Sequence, residues 1–276
     1  MQHLISDLVF PECPRWHQNA LWFSDMHDEK VYCADLHGVV LQTIDVPGQP
    51  GGLGWLPGGD LVVVSMKQNK LLRYSKGELQ PYADLGSLHA HDSNDMIVDQ
   101  LGRAYIGNFG FAIHEGEAPT GTHLARIDLN GVAHAESEGL MCPNGMALID
   151  DGNTLVVAET FAARLTAYSI AEDGSLCDKR TWATLGKYAP DGICADSEGN
   201  IWVAACIHHL CIKVRQGGEM LARIDMGKQN PFACELGGED GKRLFICSAL
   251  TSDPEATHIS RSGRIDYLDV DVGRAD

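Results

Sequence analysis

The residues best suited to chemistry are four oxygen-bearing side chains that lie far apart along the chain: Glu12, Asn94, Asn144 and Asp191. Three of them directly follow a proline. Together they offer two carboxylates and two amide carbonyls, which suit a hard cation, because a dedicated zinc site usually brings His or Cys ligands. We therefore predict that they bind one divalent metal ion, with Ca²⁺ favoured and Zn²⁺, Mn²⁺ or Mg²⁺ as alternatives.

A repeat of tight hairpins must bring these residues together. A short apolar strand, a polar turn and a second apolar strand recur six times. Glycine and asparagine suit such turns because hairpin connections need positive φ angles. The residues that mark the second strands lie 40 to 51 residues apart and are Leu21, Leu61, Ala104, Leu155, Ile201 and Leu244.

Repeats of this length predict β-propeller blades of four strands each. Six of them occupy the chain, so we predict an all-β, six-bladed β-propeller in which residues 1–276 form a single domain. The C-terminal strand at 263–270 leaves the last blade one strand short. Residues 4–10 are predicted to pair there as its outer strand, which closes the ring and protects the sheet edges. A β-sandwich is the alternative fold.

Propeller geometry explains why the four oxygen-bearing residues should meet. Positions about ten residues before each marker begin the innermost strand of a blade and point to a common axis; they are Glu12, Gly51, Asn94, Asn144, Asp191 and Phe232. The alternative is that the Asn-Gly, Asp-Gly and Pro-Glu pairs are only turn formers. That alternative explains each pair by itself. It does not explain why all of the pairs lie at the same distance from the marker residues of the repeat.

Four segments carry a resemblance to a known family: residues 11–16, 94–103, 143–147 and 190–196. They resemble the signature segments of the senescence marker protein, gluconolactonase and luciferin-regenerating-enzyme family, and the match spans essentially the whole chain. The resemblance implies a six-bladed propeller that hydrolyses lactones, with metal held by Glu12, Asn144 and Asp191 and with Asn94 close by. Sugar-lactone hydrolases of this family carry an arginine two residues before the asparagine, whereas this chain has Asp92 there.

We therefore predict a gluconolactonase-like, metal-dependent lactonase. The metal would hold the lactone carbonyl oxygen, and Asp191 would be both a ligand and the catalytic base toward water. Loops on the metal side are predicted to contact the substrate through His89, His91, Asp92, Phe109, His114, Glu159 and His208. The long segment 108–121 is either a lid or a disordered insertion. A metal-dependent phosphotriesterase and a non-catalytic propeller that binds a partner are the alternative functions.

Composition limits the partners. The chain has 21 Lys and Arg against 38 Asp and Glu, a formal charge of −17, which disfavours nucleic acid and anionic membranes. We predict a small-molecule lactone as the partner and make no prediction of the oligomeric state. The nine cysteines never form a C-x-x-C pair and lie mostly in apolar runs, which predicts reduced core thiols. Without an evident signal peptide or spanning segment, the protein is predicted to be cytoplasmic.

Overall fold

The structure is a computed structural model that describes residues 1–275, with His114 described by its backbone alone. The described residues form 24 strands in six four-stranded antiparallel sheets. Strand β1 is Gln2–Leu8. Blade 1 contains β2 (Pro11–His17), β3 (Ala20–Asp25), β4 (Lys30–Ala34) and β5 (Val40–Asp45). Blade 2 contains β6 (Pro50–Trp55), β7 (Leu61–Ser65), β8 (Lys70–Ser75) and β9 (Glu78–Asp84).

The remaining blades follow the same order. Blade 3 contains β10 (Ser93–Val98), β11 (Ala104–Asn108), β12 (Thr122–Ile127) and β13 (Ala133–Leu140). Blade 4 contains β14 (Pro143–Ile149), β15 (Thr154–Glu159), β16 (Arg164–Ile170) and β17 (Leu176–Thr184). Blade 5 contains β18 (Pro190–Ala195), β19 (Ile201–Ala205), β20 (Leu210–Val214) and β21 (Met220–Asp225). Blade 6 contains β22 (Asn230–Gly237), β23 (Arg243–Ala249), β24 (Gly263–Asp269) and β1.

This architecture confirms the predicted six-bladed β-propeller. Every marker residue is the first or second residue of the second strand of its blade. The hairpins form for local reasons: in blade 1 the turn residues Gln18 and Asn19 both have positive φ (49° and 59°), as a type I′ connection requires. Short helical elements occur only on connections, as α1 (Pro254–Ser260) and the 3₁₀ turns Ile113–Glu115 and Thr160–Ala162 among the described residues.

The ring closes as predicted, because β1 pairs antiparallel with β24 as the outer strand of blade 6. The strand ends at Leu8 rather than at Phe10, two residues earlier than predicted. The reason is that the backbone N–H groups of Val9 and Phe10 donate to the buried carboxylate of Asp25, at 2.9 and 2.6 Å. The side chain of Asp25 thus takes these donors away from the sheet and turns the chain into blade 1.

The first strand of each blade is the innermost, and these strands contact one another around the axis. Glycine allows the closest approaches. A Cβ on Gly52 in β6 would lie 2.1 Å from the backbone N of Met96 in β10, a distance that no side chain tolerates. Apolar side chains of adjacent blades fill the space between the sheets, so each blade is stabilised mainly by its neighbours.

The cysteines were predicted to be reduced core residues. All nine cysteines lie within the described residues and are unpaired there, eight of them buried and Cys177 exposed. Buried thiols of this kind behave as small core hydrophobes. Within residues 1–275 no helix has the length and apolar character needed to cross a membrane.

Candidate metal centre

The predicted ligands share one structural position. Glu12, Asn94, Asn144 and Asp191 are each the second residue of the innermost strand of their blade, in β2, β10, β14 and β18. Glu12, Asn94 and Asp191 are buried, and Asn144 is half-buried. The same position holds Gly51 in blade 2, while Phe232 is the third residue of β22 in blade 6. Blades 1, 3, 4 and 5 therefore present oxygen-bearing side chains at the same end of the channel.

An irregularity of the inner strands contributes to this arrangement. In β2 the pairing register with β3 shifts between Glu12 and Arg15, and in β18 the register with β19 shifts between Pro190 and Ile193. The inner strands of the other four blades have a shift at the corresponding place. Such bulges twist a strand and re-aim its side chains, which makes them frequent beside functional sites.

The glycines that follow two of the ligands are strand residues and do not form turns. Neither Gly145 nor Gly192 has a positive φ. A Cβ on Gly145 would lie 2.5 Å from the backbone N of Ile193, and a Cβ on Gly192 would lie 2.5 Å from the Cβ of Ala233. These glycines let neighbouring inner strands approach closely, so the turn-former explanation does not apply to Asn144-Gly145 or Asp191-Gly192.

The two carboxylates lie close enough to affect each other's protonation. Burial raises the pKa of Glu12 well above its ordinary value, and the negative charge of Asp191 raises it further. Burial and the charge of Asp95 raise the pKa of Asp191 to about 8. Burial of these two neighbouring carboxylates disfavours their ionisation more than the nearby Arg15 cation favours it, and a bound divalent ion would reverse that preference.

Neighbouring groups orient these side chains. One oxygen of Glu12 accepts the N–H of Cys13 at 2.9 Å. Asp191 accepts hydrogen bonds from the amide of Asn144 and the thiol of Cys206, which act against the rise in the pKa of Asp191. The Asn144 amide nitrogen also lies 3.3 Å from the hydroxyl of Thr160, which leaves its carbonyl oxygen free to serve as a ligand.

The donor set fits a hard divalent cation. In the described part of the chain, the buried Nδ2 of Asn94 has no hydrogen-bond partner. A cation would bind the carbonyl oxygen of this amide and not its nitrogen. The same residues contain no group of three or more His, Cys, Asp or Glu side chains arranged to hold a metal. The candidate set has only two acidic members and relies on two amides, a composition that favours Ca²⁺ over Zn²⁺.

An ion pair that was not predicted from the sequence crosses the channel beside these residues. The guanidinium of Arg15 in blade 1 donates to the carboxylate of Asp95 (2.8 Å) and to the carbonyl of Met96 (2.6 Å), both in blade 3. Asp95 immediately follows Asn94, so this ion pair ties blade 1 to the strand that carries a candidate ligand. The pairing joins residues 80 positions apart in non-adjacent blades, and no local pattern indicates it.

An apolar wall on the metal side, which is the end of the channel that carries the four candidate ligands, was also not predicted. Phe10, Met26, Met66 and Phe232 are buried in one cluster, and the rings of Phe10 and Phe232 are 4.7 Å apart. These residues belong to blades 6, 1 and 2 or to the connections beside them. A sequence feature that could have indicated this wall is Phe232 in blade 6. It is apolar, whereas blades 1, 3, 4 and 5 have polar residues at the corresponding position.

The structure gathers four of the predicted substrate contacts on the metal side of blade 3. His89 is buried, whereas His91, Asp92 and Phe109 are half-buried. The N–H of Phe109 donates to the carbonyl of Asp92 at 3.1 Å, which joins the two connections that carry these residues. His114 was also predicted, but its side chain lies outside the described residues. These substrate contacts remain predictions.

His208 lies apart from this group, on the connection between β19 and β20 in blade 5. Its ring packs edge-on against Tyr188 at 5.2 Å. Burial and the charge of Lys187 lower the pKa of His208, which favours a neutral ring near pH 7. The predicted contact of His208 with substrate remains a prediction.

The segment 108–121 is packed near its beginning. Phe111 is 3% exposed, and its ring meets Phe161 edge-on at 5.1 Å. Further along, Glu117 lies 3.8 Å from the Nε2 of His91 and accepts the N–H of Ala112 at 2.8 Å. These contacts anchor the segment to the metal side of blades 3 and 4.

Glu159 ends β15 as a buried carboxylate already engaged by protein donors. It accepts from Nε and Nη2 of Arg164 (2.7 and 3.0 Å), from the N–H of Met141 (2.9 Å) and from the hydroxyl of Thr166. Burial raises the pKa of Glu159, but these hydrogen bonds and the charge of Arg164 outweigh it and lower the pKa overall. The predicted contact of Glu159 with substrate remains a prediction.

We expect Glu159→Gln to lower the melting temperature, because Arg164 and the Met141 N–H lose a charged acceptor. The expected loss in free energy of unfolding is about 1–3 kcal/mol. Thermal unfolding measures it, with the exposed Glu138→Gln on the neighbouring blade as a matched control. An unchanged melting temperature together with a raised KM for a lactone would instead favour direct contact with substrate.

Comparisons with known proteins agree with this architecture. The profile of the family described as "SMP-30/Gluconolactonase/LRE-like region" matches residues 10–250. A 6-deoxy-6-sulfogluconolactonase from Pseudomonas putida is 25% identical over 248 residues, covering 87% of this chain and 84% of that protein. A pentonolactonase from Haloferax volcanii is 26% identical over 159 residues, covering 56% of this chain and 53% of that protein.

The fold itself has close solved counterparts. A luciferin-regenerating enzyme superposes with a TM-score of 0.85 at 18% identity, covering 99% of this chain and 96% of that chain. At this identity the likeness supports the fold alone. The family profile, in contrast, covers most of the chain and includes all four candidate ligands. The chain therefore belongs to the SMP-30, gluconolactonase and luciferin-regenerating-enzyme family.

Proposed function

We propose that this protein is a lactonase that uses one divalent metal ion, held by Glu12, Asn94, Asn144 and Asp191. The observation that carries the proposal is the pair of buried carboxylates, Glu12 and Asp191, which share one axial position with two amides and whose pKa values are both raised. Family membership and two relatives named as lactonases support the reaction class.

The candidate ligands have different roles in the proposed reaction. When bound, the metal supplies a positive charge that polarises the lactone carbonyl and offsets the negative charge that develops on its oxygen. Glu12, Asn94 and Asn144 would hold the ion in place. Asp191 has two carboxylate oxygens, so one can bind metal while the other takes a proton from the attacking water. The ring C–O bond then breaks, and the proton passes to the departing alkoxide to give a hydroxy acid.

The surroundings suit a small cyclic ester. Phe10, Met26, Met66 and Phe232 form an apolar wall that would exclude bulk water beside the candidate ligands. Cys206 and Asn144 lie beside Asp191, where their polar groups act against the rise in its pKa. The excess of acidic residues favours an uncharged substrate over an anionic one.

Activity against a panel of esters tests the proposal. We expect turnover of γ- and δ-lactones that disappears on chelation and returns with added Ca²⁺, with weaker turnover of aryl esters. A phosphotriester cleaved in preference to every lactone would favour the phosphotriesterase function. No turnover of any ester, with a melting temperature that still falls on chelation, would favour a non-catalytic metal-binding propeller.

A further inference from the structure

We propose that Arg15 limits the affinity of the candidate metal centre for its cation, because it balances the charge of a third buried carboxylate, that of Asp95. This inference rests on the proposed metal centre and concerns how tightly that centre holds its ion. It is carried by the hydrogen-bonded ion pair of Arg15 with Asp95 and by the position of both residues close to the candidate ligands.

The ion pair is close in sequence to two candidate ligands. Asp95 directly follows Asn94 in β10. Arg15 comes three residues after Glu12 in β2. Both strands are bulged there: the register of β2 shifts between Glu12 and Arg15, and that of β10 shifts between residues 93 and 96. A bulge breaks the strict alternation of side chains, so Asp95 need not point away from the side on which Asn94 lies.

Hydrogen bonds hold the two charged groups together. Nη2 of Arg15 donates to Oδ1 of Asp95 at 2.8 Å and to the carbonyl of Met96 at 2.6 Å. The same oxygen of Asp95 accepts the N–H of Met96 at 2.7 Å. Nη1 of Arg15 donates to the carbonyl of Pro14 at 2.8 Å. The side chains of Arg15 and Asp95 are 14% and 3% exposed, so water screens their charges weakly and the guanidinium is fixed against this carboxylate.

Blade 2 lies between the two partners in the ring and leaves space for their contact. Its inner strand has glycine at positions 51, 52 and 54, so it presents no side chain there. A Cβ on Gly51 would lie 2.7 Å from the backbone O of Asn94, which is too close for any other residue. Arg15 can therefore reach past β6 from blade 1 to blade 3.

Both charges act on the candidate ligands. Burial and the charge of Asp191 have the largest effects on the pKa of Glu12. Among the smaller effects, the charge of Asp95 raises the pKa of Glu12 and the charge of Arg15 lowers it. After burial, the charge of Asp95 is the main cause of the raised pKa of Asp191. A cation bound by these ligands would feel the same two charges, attracted by Asp95 and repelled by Arg15.

Arg15 determines how many carboxylates are left for the ion. The affinity of an oxygen-ligand site for Ca²⁺ rises with the number of acidic groups around it. With Arg15 in place, Glu12 and Asp191 supply the negative charge, whereas without it Asp95 would add a third charge and tighten binding. The same guanidinium supplies a positive charge among these carboxylates when no ion is bound, which stabilises the metal-free protein and keeps the ion exchangeable.

Calcium titrations of charge-neutralised variants test the proposal. Arg15→Gln and Asp95→Asn each remove one charge and keep hydrogen-bonding groups, and the double variant removes both charges. Calorimetry at pH 8 should give Arg15→Gln a Kd for Ca²⁺ about tenfold or more below wild type, and Asp95→Asn a Kd about tenfold or more above it. The double variant should lie within about threefold of wild type, because the two charge effects cancel.

A trivalent ion separates a charge effect from a change of shape. A fixed charge acts on an ion in proportion to the charge of that ion, so each shift should be about one and a half times as large for La³⁺ as for Ca²⁺ on a logarithmic scale. Arg73→Gln, which removes an arginine from an exposed ion pair on blade 2, is the control and should keep the wild-type Kd. If Arg15→Gln does not fold, Arg15→Lys carries the test, because it keeps the charge and should stay within about threefold of wild type.

Some results would overturn the proposal, and others would count only against the proposed function. Weaker Ca²⁺ binding in both Arg15→Gln and Asp95→Asn, or equal shifts for Ca²⁺ and La³⁺, would mean that the pair positions the ligands and does not set the charge. Wild-type affinity in Arg15→Gln, with weak binding in Glu12→Gln, would refute this inference alone. Wild-type affinity in Glu12→Gln would refute the metal centre and this inference with it. Opposite shifts in the two charge variants without lactone turnover would support this inference and refute the lactonase function alone.

Discussion

Asp191→Asn is expected to lower kcat for lactone hydrolysis by about a thousandfold, the scale of contribution that a general base makes. The reason is that asparagine keeps an oxygen for the metal but has no basic atom to take a proton from water. Burial, the charge of Asp95 and hydrogen bonds from Cys206 and Asn144 already set the protonation of this carboxylate. Asparagine therefore removes the proton acceptor and leaves the packing in place.

Measuring metal affinity separates this role from a purely structural one. Calcium titration of Asp191→Asn should give a Kd raised by much less than the fall in kcat, because three candidate ligands and one amide oxygen remain. The exposed Asp225→Asn, in the same blade, is the matched control and should match wild type in both measurements. Full activity in Asp191→Asn would refute the assignment of the base.

Glu12→Gln is expected to show the second large effect, in the pH dependence of stability. Burial and the charge of Asp191 raise the pKa of Glu12, and burial and Asp95 raise the pKa of Asp191 from 3.8 to about 8. Carboxyls with raised pKa values stabilise the metal-free fold at low pH, where they are protonated in both states. That contribution is lost as the pH rises from about 4 to about 8. Metal binding needs the ionised pair, so metal affinity should rise over the same range.

Two melting-temperature results follow for wild type and Glu12→Gln. In wild type, the increase on adding Ca²⁺ should be small at pH 5 and large at pH 8. In Glu12→Gln, which has no buried charge at this position, the metal-free protein should melt higher than metal-free wild type at pH 8. Most of the increase with Ca²⁺ should also be absent. Calorimetric scans from pH 5 to pH 8, in chelator and in Ca²⁺, measure both effects.

The opposite pattern would contradict the proposed metal centre. An increase with Ca²⁺ that is equal at all pH values would mean that the ion binds elsewhere, at carboxylates that are ionised throughout. A metal-free Glu12→Gln that melts below wild type at pH 8 would mean that the Glu12 carboxylate is needed for stability, through the N–H of Cys13 that it accepts.

Local patterns were enough to predict the blades, because a hairpin is specified by its own turn and by the strands beside it. Gln18 and Asn19 show this, since their positive φ angles close the first hairpin of blade 1 without help from distant residues. Pairing of the N-terminal strand with β24 was predicted for a different reason: the last blade lacked a strand and an unassigned strand was available.

The shared position of Glu12, Asn94, Asn144 and Asp191 could also be predicted from the sequence, because a repeat places equivalent residues around one axis. The sequence did not reveal the bulges that follow these residues, since a register shift depends on the partner strand. Nor did it reveal the apolar wall, whose members come from connections of different blades.

The sequence by itself therefore determined the number of blades, their closure and which residues begin the innermost strands, because all three follow from local turns repeated at a regular interval. Tertiary structure alone decided the ion pair of Arg15 with Asp95, the ion pair of Glu159 with Arg164 and the hydrogen bond between His89 and Ser93. Each of these depends on distances and donor directions between side chains, which form only when strands and connections pack against one another.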